Sequence, residues 1–93
     1  MTWRNHIVGV DQPVPVLGGA QRPGIHLDNA ASTPVLREVL DAVRTFMPWY
    51  SSVHRGAGHK SQRATQAYED ARETVAHFVG ANAQDHTVIC GKN

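Results

Sequence analysis

The sequence predicts an α/β fold of one small domain, and three observations carry that prediction. A β-prone stretch at residues 25–27 runs into a polar turn. Two later segments repeat apolar residues at helical spacing. A β-branched run, "HTVIC", stands at residues 86–90. In chain order this reads as an extended arm, two main helices and a strand.

The arm is residues 1–24. Pro13, Pro15 and Pro23, with Gly18, Gly19 and Gly24, predict little regular structure, and the segment has too few apolar residues to make a core of its own. Next, "IHLDNAASTP" at residues 25–34 reads as a strand-to-helix connection. Thr33 before Pro34 predicts a hydroxyl N-cap followed by proline at the first helical position. Leu36, Val39, Leu40, Val43, Met47 and Tyr50 then form one apolar stripe. Pro48 disfavours helical backbone at Met47 and should end or kink the helix there.

A polar, glycine-containing loop, "SSVHRGAGHKS", leads into the second helix near Ser61. Its predicted buried stripe is Ala64, Ala67, Ala71, Val75, Phe78 and Val79, with Gly80 as a C-terminal cap. The small residues at the start of that stripe predict close packing against another element. After the strand at 86–90 comes "GKN". Strand, glycine, then a polar residue is how a phosphate-binding turn begins in many α/β proteins. The chain therefore reads as cut short. A natural C-terminus with a frayed polar end is the alternative.

Composition narrows the function. The chain has 93 residues, 41% of them hydrophobic and 18% charged, which is globular composition. Nine Lys/Arg against eight Asp/Glu leave a formal charge of +1, too balanced to argue for a nucleic acid or a membrane surface as partner. One cysteine, Cys90, excludes an internal disulfide framework and fits a reducing, cytoplasmic setting. No apolar run approaches the roughly 20 residues that span a bilayer.

Several side-chain patterns have a plain reading beside a chemical one. His54 and His59 flank a glycine loop, but no third ligand follows at regular spacing, so hydrogen-bonding or solvent-facing histidines are expected and no metal site. "GAGHKS" lacks the glycine directly before lysine that a nucleotide-binding loop needs. Arg55, Lys60 and Arg63 form a basic cluster at a helix N-terminus, open to an anion or to solvent. Glu69, Asp70 and Glu73 read as a solvated face, with Glu69 near Arg72 or Glu73. Cys90 is expected to be a buried structural thiol.

Taken in order, "IHLDNAASTP", a helix, "SSVHRGAGHKS", a helix with "YEDARETVAHFVGA" and then "HTVICGKN" resemble the start of a class-V aminotransferase. This is the pyridoxal-phosphate group that includes the cysteine desulfurases and selenocysteine lyases. The resemblance runs from about Ile25 to Asn93. It implies the N-terminal fragment of a fold-type I pyridoxal-phosphate enzyme, with residues 1–24 as the arm and 25–93 as the start of the cofactor-binding large domain. It also implies an amino-acid substrate and a homodimer. In such enzymes the Asn-Ala-Ala loop borders the active site, which suggests Asn29, Ala30 and Ala31 as substrate-side lining. His54 and Arg55 would approach the substrate near the dimer interface, and Asn93 would border the cofactor phosphate.

No catalytic residue of the family falls within the chain. Lys60 and Lys92 are its only lysines, and neither matches the family's Schiff-base position. The desulfurases' catalytic cysteine lies far downstream of Cys90. The isolated chain is thus expected to be inactive and not to bind the cofactor stably. Here His59 follows Arg55 through Gly-Ala-Gly, which leaves desulfurase, aminotransferase and lyase chemistry open. The competing reading is a small independent α/β protein-interaction module.

Overall fold

Two helices and one two-stranded sheet make up the regular structure of this computed structural model, which describes residues 2–92. The mixture of elements is that of an α/β chain. It divides into two compact units, one up to Phe46 and the other from Met47.

The first unit opens with a 3-10 helix, Trp3–His6. Strands β1 (Pro13–Pro15) and β2 (Gln21–Pro23) follow as an antiparallel hairpin, with Val14 opposite Arg22. The arm is therefore more regular than its prolines suggest. Proline lacks only the N–H, and a two-stranded ribbon leaves one edge of each strand free for residues that cannot donate. Val16 N–H to Ala20 C=O, at 2.9 Å, closes the hairpin.

Helix α1 (Arg37–Phe46) starts three residues later than the Thr33–Pro34 signal predicts. The reason lies in the backbone. Val35 C=O accepts from Val8 N–H at 2.9 Å, and Leu36 forms an isolated antiparallel bridge with Ile7. Residues 35 and 36 are held extended, so the first helical bond runs from Leu40 N–H to Leu36 C=O, at 3.0 Å. His6 pairs with Glu38 in the first turn, and Arg37 Nε donates to Asn5 C=O at 3.0 Å. That hydrogen bond from His6 is the main reason the Glu38 carboxyl titrates below its ordinary value. At the other end α1 stops at Phe46, as Pro48 requires, and a 3-10 turn, Met47–Trp49, follows.

The second unit is built on α2 (His59–Phe78), two residues longer at its start than the sequence reading. Its C-terminus is a Schellman pair. Gly80, at φ +67°, donates to His77 C=O at 3.1 Å, and Ala81 donates to Ala76 C=O at 2.8 Å. The 3-10 turn Met47–Trp49 packs on α2, which carries the two buried residues of the described chain, Ser61 and Ala64.

Two expectations fail here. Residues 86–90 are coil: the segment pairs with no strand among the described residues, and β-branched residues hold a strand only beside a neighbour. Ile25–Leu27 are likewise coil. The stripes are also largely uncovered: Val39, Val43 and Met47 are about half exposed, and Phe78 is 89% exposed. On α2 burial is confined to the small residues near the N-terminus, where the sequence predicts close packing. Among the described residues, no helix is long and apolar enough to cross a membrane.

Candidate functional site

The two loops singled out from the sequence are held in different ways. In the first unit, residues 28–33 form a turn that is closed locally. Asp28 Oδ1 accepts from Ala31 N–H at 3.3 Å, and Asp28 C=O accepts from Ser32 N–H at 3.1 Å. Thr33 is not a helix cap: its hydroxyl donates to Asn29 C=O at 2.8 Å. His26 Nε2 donates to Ser32 C=O at 2.7 Å. An aspartate followed by small residues favours such a turn, since its carboxylate can accept from backbone N–H groups just ahead of it. Asn29 lines a cleft of about 520 Å³, together with Arg4, Ile7, Val10, Ile25 and His26. Ala30 and Ala31 are exposed beside it.

In the second unit, residues 51–58 fold onto the start of α2. The buried Ser61 hydroxyl donates to Ser52 C=O at 2.6 Å. Gly56 sits against the same side chain: a Cβ at this position would lie 2.8 Å from Ser61 Oγ and 2.9 Å from Ser61 Cβ. Only a residue without Cβ allows that approach.

His54 is the hinge of the loop. It has φ +60°, in the left-handed region that non-glycine residues rarely occupy. Three contacts hold it there. Its N–H donates to Thr65 Oγ1 at 2.9 Å, and its Nε2 donates to Glu69 Oε1 at 2.7 Å. Its ring also meets Tyr68 edge-on, with centroids 5.6 Å apart. Strained backbone persists where surrounding contacts fix it. Arg55, next in the chain, is exposed.

The remaining basic residues of this region separate by role. Arg63 lies over the Trp49 ring, 4.0 Å from its centroid, and His59 meets the same ring edge-on at 5.8 Å. Neither histidine belongs to a metal cluster, and among the described residues no such cluster exists.

Glu69 makes one contact that the sequence signals and one that it does not. It faces Arg72 as expected, with Arg72 Nη1 3.0 Å from Oε2, but its other oxygen meets His54. The i, i+3 spacing signals the first contact, and no local pattern signals the second. Arg72 Nε donates in turn to Val88 C=O at 3.0 Å. Cys90 is exposed rather than buried, because the segment that carries it lies along α2 as coil and not inside a sheet. The Cys90 thiol is the largest cause that raises the Tyr68 phenol above its ordinary value of 10.0.

The fit of these residues to pyridoxal phosphate can be tested directly. Lys60 is exposed in the first turn of α2, and Lys92 is exposed in coil. Neither lines a cleft described here. The described residues therefore do not make a site for that cofactor by themselves. Asn93, expected at its phosphate, lies outside the described residues.

Comparison with known proteins places both loops in one family. The model of the family described as "Aminotransferase class-V" matches residues 25–91, well over half of the chain. A cysteine desulfurase from Haloferax volcanii is 44% identical over 72 residues, covering 76% of this chain and 17% of that protein. A probable cysteine desulfurase from Aeropyrum pernix is 48% identical over 63 residues, 67% of this chain and 15% of the relative. One from Streptomyces coelicolor is 40% identical over 66 residues, 70% and 16% respectively. The chain thus spans about a sixth of the length of these relatives. No solved structure matches it. With a family match that covers the "LDNAAST" turn, the "HRGAGHKS" loop and α2, the chain belongs to the class-V aminotransferases.

Proposed function

We propose that residues 1–93 form the N-terminal part of a pyridoxal-phosphate-dependent, cysteine desulfurase-like enzyme that acts on an amino acid. The observation that carries this reading is the family match through both loops, joined to relatives named as cysteine desulfurases or probable ones. In this reading residues 1–24 are an N-terminal arm, and residues 25–93 begin the large domain of a fold-type I enzyme. The complete enzyme is a cytoplasmic homodimer.

The chain's share in the reaction is placement of substrate. Asn29, Ala30 and Ala31 supply small, polar lining. Arg55 offers a guanidinium to the substrate carboxylate, a pairing its planar fork suits. His54 holds the loop that presents it. Asn93 borders the cofactor phosphate. The cofactor supplies the electron sink for the reacting carbon. The lysine that carries it lies elsewhere in the complete enzyme.

The test uses the full-length enzyme. Sulfide release from cysteine, measured against amino transfer to a keto acid, decides the reaction class, and absence of both overturns the reading. Arg55→Ala should remove a charge-assisted contact of about 1.5–3 kcal/mol. That corresponds to roughly a 10- to 100-fold fall in kcat/KM. Circular dichroism and cofactor absorbance should stay unchanged. Unaltered kinetics would make Arg55 a solvated surface residue.

A further inference from the structure

One carboxylate in the second unit faces two loops at once. Glu69 Oε1 accepts from His54 Nε2 at 2.7 Å, and its Oε2 accepts from Arg72 Nη1 at 3.0 Å. Arg72 uses a different nitrogen, Nε, to donate to Val88 C=O at 3.0 Å. The chain of contacts therefore runs from the 51–58 loop, across the surface of α2, to the 86–92 segment. Both ends are irregular backbone without a ladder of their own.

The side chains of His54, Glu69 and Arg72 are 52%, 39% and 31% exposed. Ion pairs this open contribute little to stability. Their geometry is the informative part. A planar guanidinium offers donors to a carboxylate and a carbonyl at once from a fixed fork, and a carboxylate can serve two donors without giving up either.

We propose that Glu69 is a positioning residue that couples the loop carrying His54 and Arg55 to the segment leading to Asn93. Resting on the function proposed above, this ties a substrate-side loop to the cofactor-side segment of the enzyme, so that displacing one is felt at the other. Glu69 touches neither substrate nor cofactor. It acts through His54 on one side and through Arg72 on the other. Glu73, one turn further along α2, carries the same charge and makes neither contact among the described residues.

The test is a nitrogen-15 correlation spectrum of the 93-residue chain, recorded without cofactor or substrate. Two reporters matter: the His54 amide, and the Ile89 amide, which shares its peptide group with Val88 C=O. Glu69→Ala should displace both peaks by more than a linewidth, while Glu73→Ala displaces neither. Glu69→Gln keeps an acceptor for His54 but loses the charge that holds Arg72, so it should move the Ile89 peak more than that of His54. Arg72→Lys loses the fork that holds both Val88 C=O and Glu69, so it should move Ile89 most and His54 by a smaller amount, and a His54 peak that stays still would count against the coupling. If circular dichroism shows that Glu69→Ala loses its helix, the Gln and Lys variants are read instead. Displacement of only the His54 peak in Glu69→Ala overturns the coupling, as does an equal response to Glu73→Ala. Because the spectra involve no turnover, a failed coupling leaves the enzymatic reading standing. An inactive full-length enzyme likewise leaves the coupling standing.

Discussion

The turn at 28–33 and the loop at 51–58 are both read as substrate-side lining, yet they are fixed by different means. The first is closed by hydrogen bonds spanning three to six residues, from Asp28, Thr33 and His26. The second is fixed by contacts nine to fifteen residues apart, from Ser52 to Ser61 and from His54 to Thr65 and Glu69. A locally closed turn keeps its form wherever the chain carries it. A loop seated on a helix keeps its form only while the helix surface beneath it stays as it is. Substitutions should therefore act at a distance in the second loop and stay local in the first.

The largest effect is expected where the loop meets the helix most closely. Gly56→Ala places a methyl group within 3 Å of the buried Ser61 side chain, so either the loop or Ser61 must move. Overpacking of this kind costs about 1–3 kcal/mol. Urea unfolding followed by circular dichroism should show the loss, and the His54 amide peak should move with it. Gly58→Ala is the comparison, since a Cβ there meets nothing within 4 Å and only the smaller cost of alanine at the N-cap of α2 remains. Equal effects from the two variants would break the contrast.

Next in size is Ser61→Ala. It removes the donor to Ser52 C=O from one of the two buried positions among the described residues. A part-buried carbonyl left without its partner costs about 1–2 kcal/mol. The same unfolding experiment reads it, and no change would mean that solvent takes over the carbonyl. Asp28→Ala in the first loop should cost less, about 0.5–1 kcal/mol, because the turn is exposed and water can replace the lost acceptor. Its spectral changes should stay within residues 26–33. Spread into α1 would show that the turn is less self-contained than its hydrogen bonds indicate.

The contrast also explains what the sequence made legible. Pro48 as the end of α1 and Gly80 as the cap of α2 follow from backbone chemistry that no tertiary context overrides. The family was legible because its two loops are short, ordered strings of unusual residues. The start of α1 was not, because Val8 and Ile7 hold residues 35 and 36 extended from far away in sequence. The strand at 86–90 was misread for a related reason: β-branched residues make a strand only beside a neighbour. Val88 gives its carbonyl to Arg72 instead. Likewise the loop that carries His54 stands out by its motif, while the contact of His54 with Glu69, fifteen positions on, has nothing local to mark it.

The smallest expected effect probes the same face of α2 from its other side. Tyr68 meets the His54 ring edge-on, and the Cys90 thiol raises its phenol pKa. That thiol is the largest cause of the raised phenol pKa, ahead of desolvation, while Arg72 pulls the other way and Glu69 adds to the rise. A raised value means that folding favours the protonated phenol. This contribution is present below the ordinary value of 10.0 and is lost as pH rises through the folded one. Cys90→Ala should bring the Tyr68 midpoint down toward its ordinary value, read by ultraviolet absorbance of phenolate with Tyr50→Phe as background. The residual rise should reflect Glu69 and desolvation. A midpoint that does not fall in the Cys90 variant would remove the thiol as its cause. It would leave Arg72 to Val88 as the contact that ties the 86–90 segment to the helix face that seats the second loop.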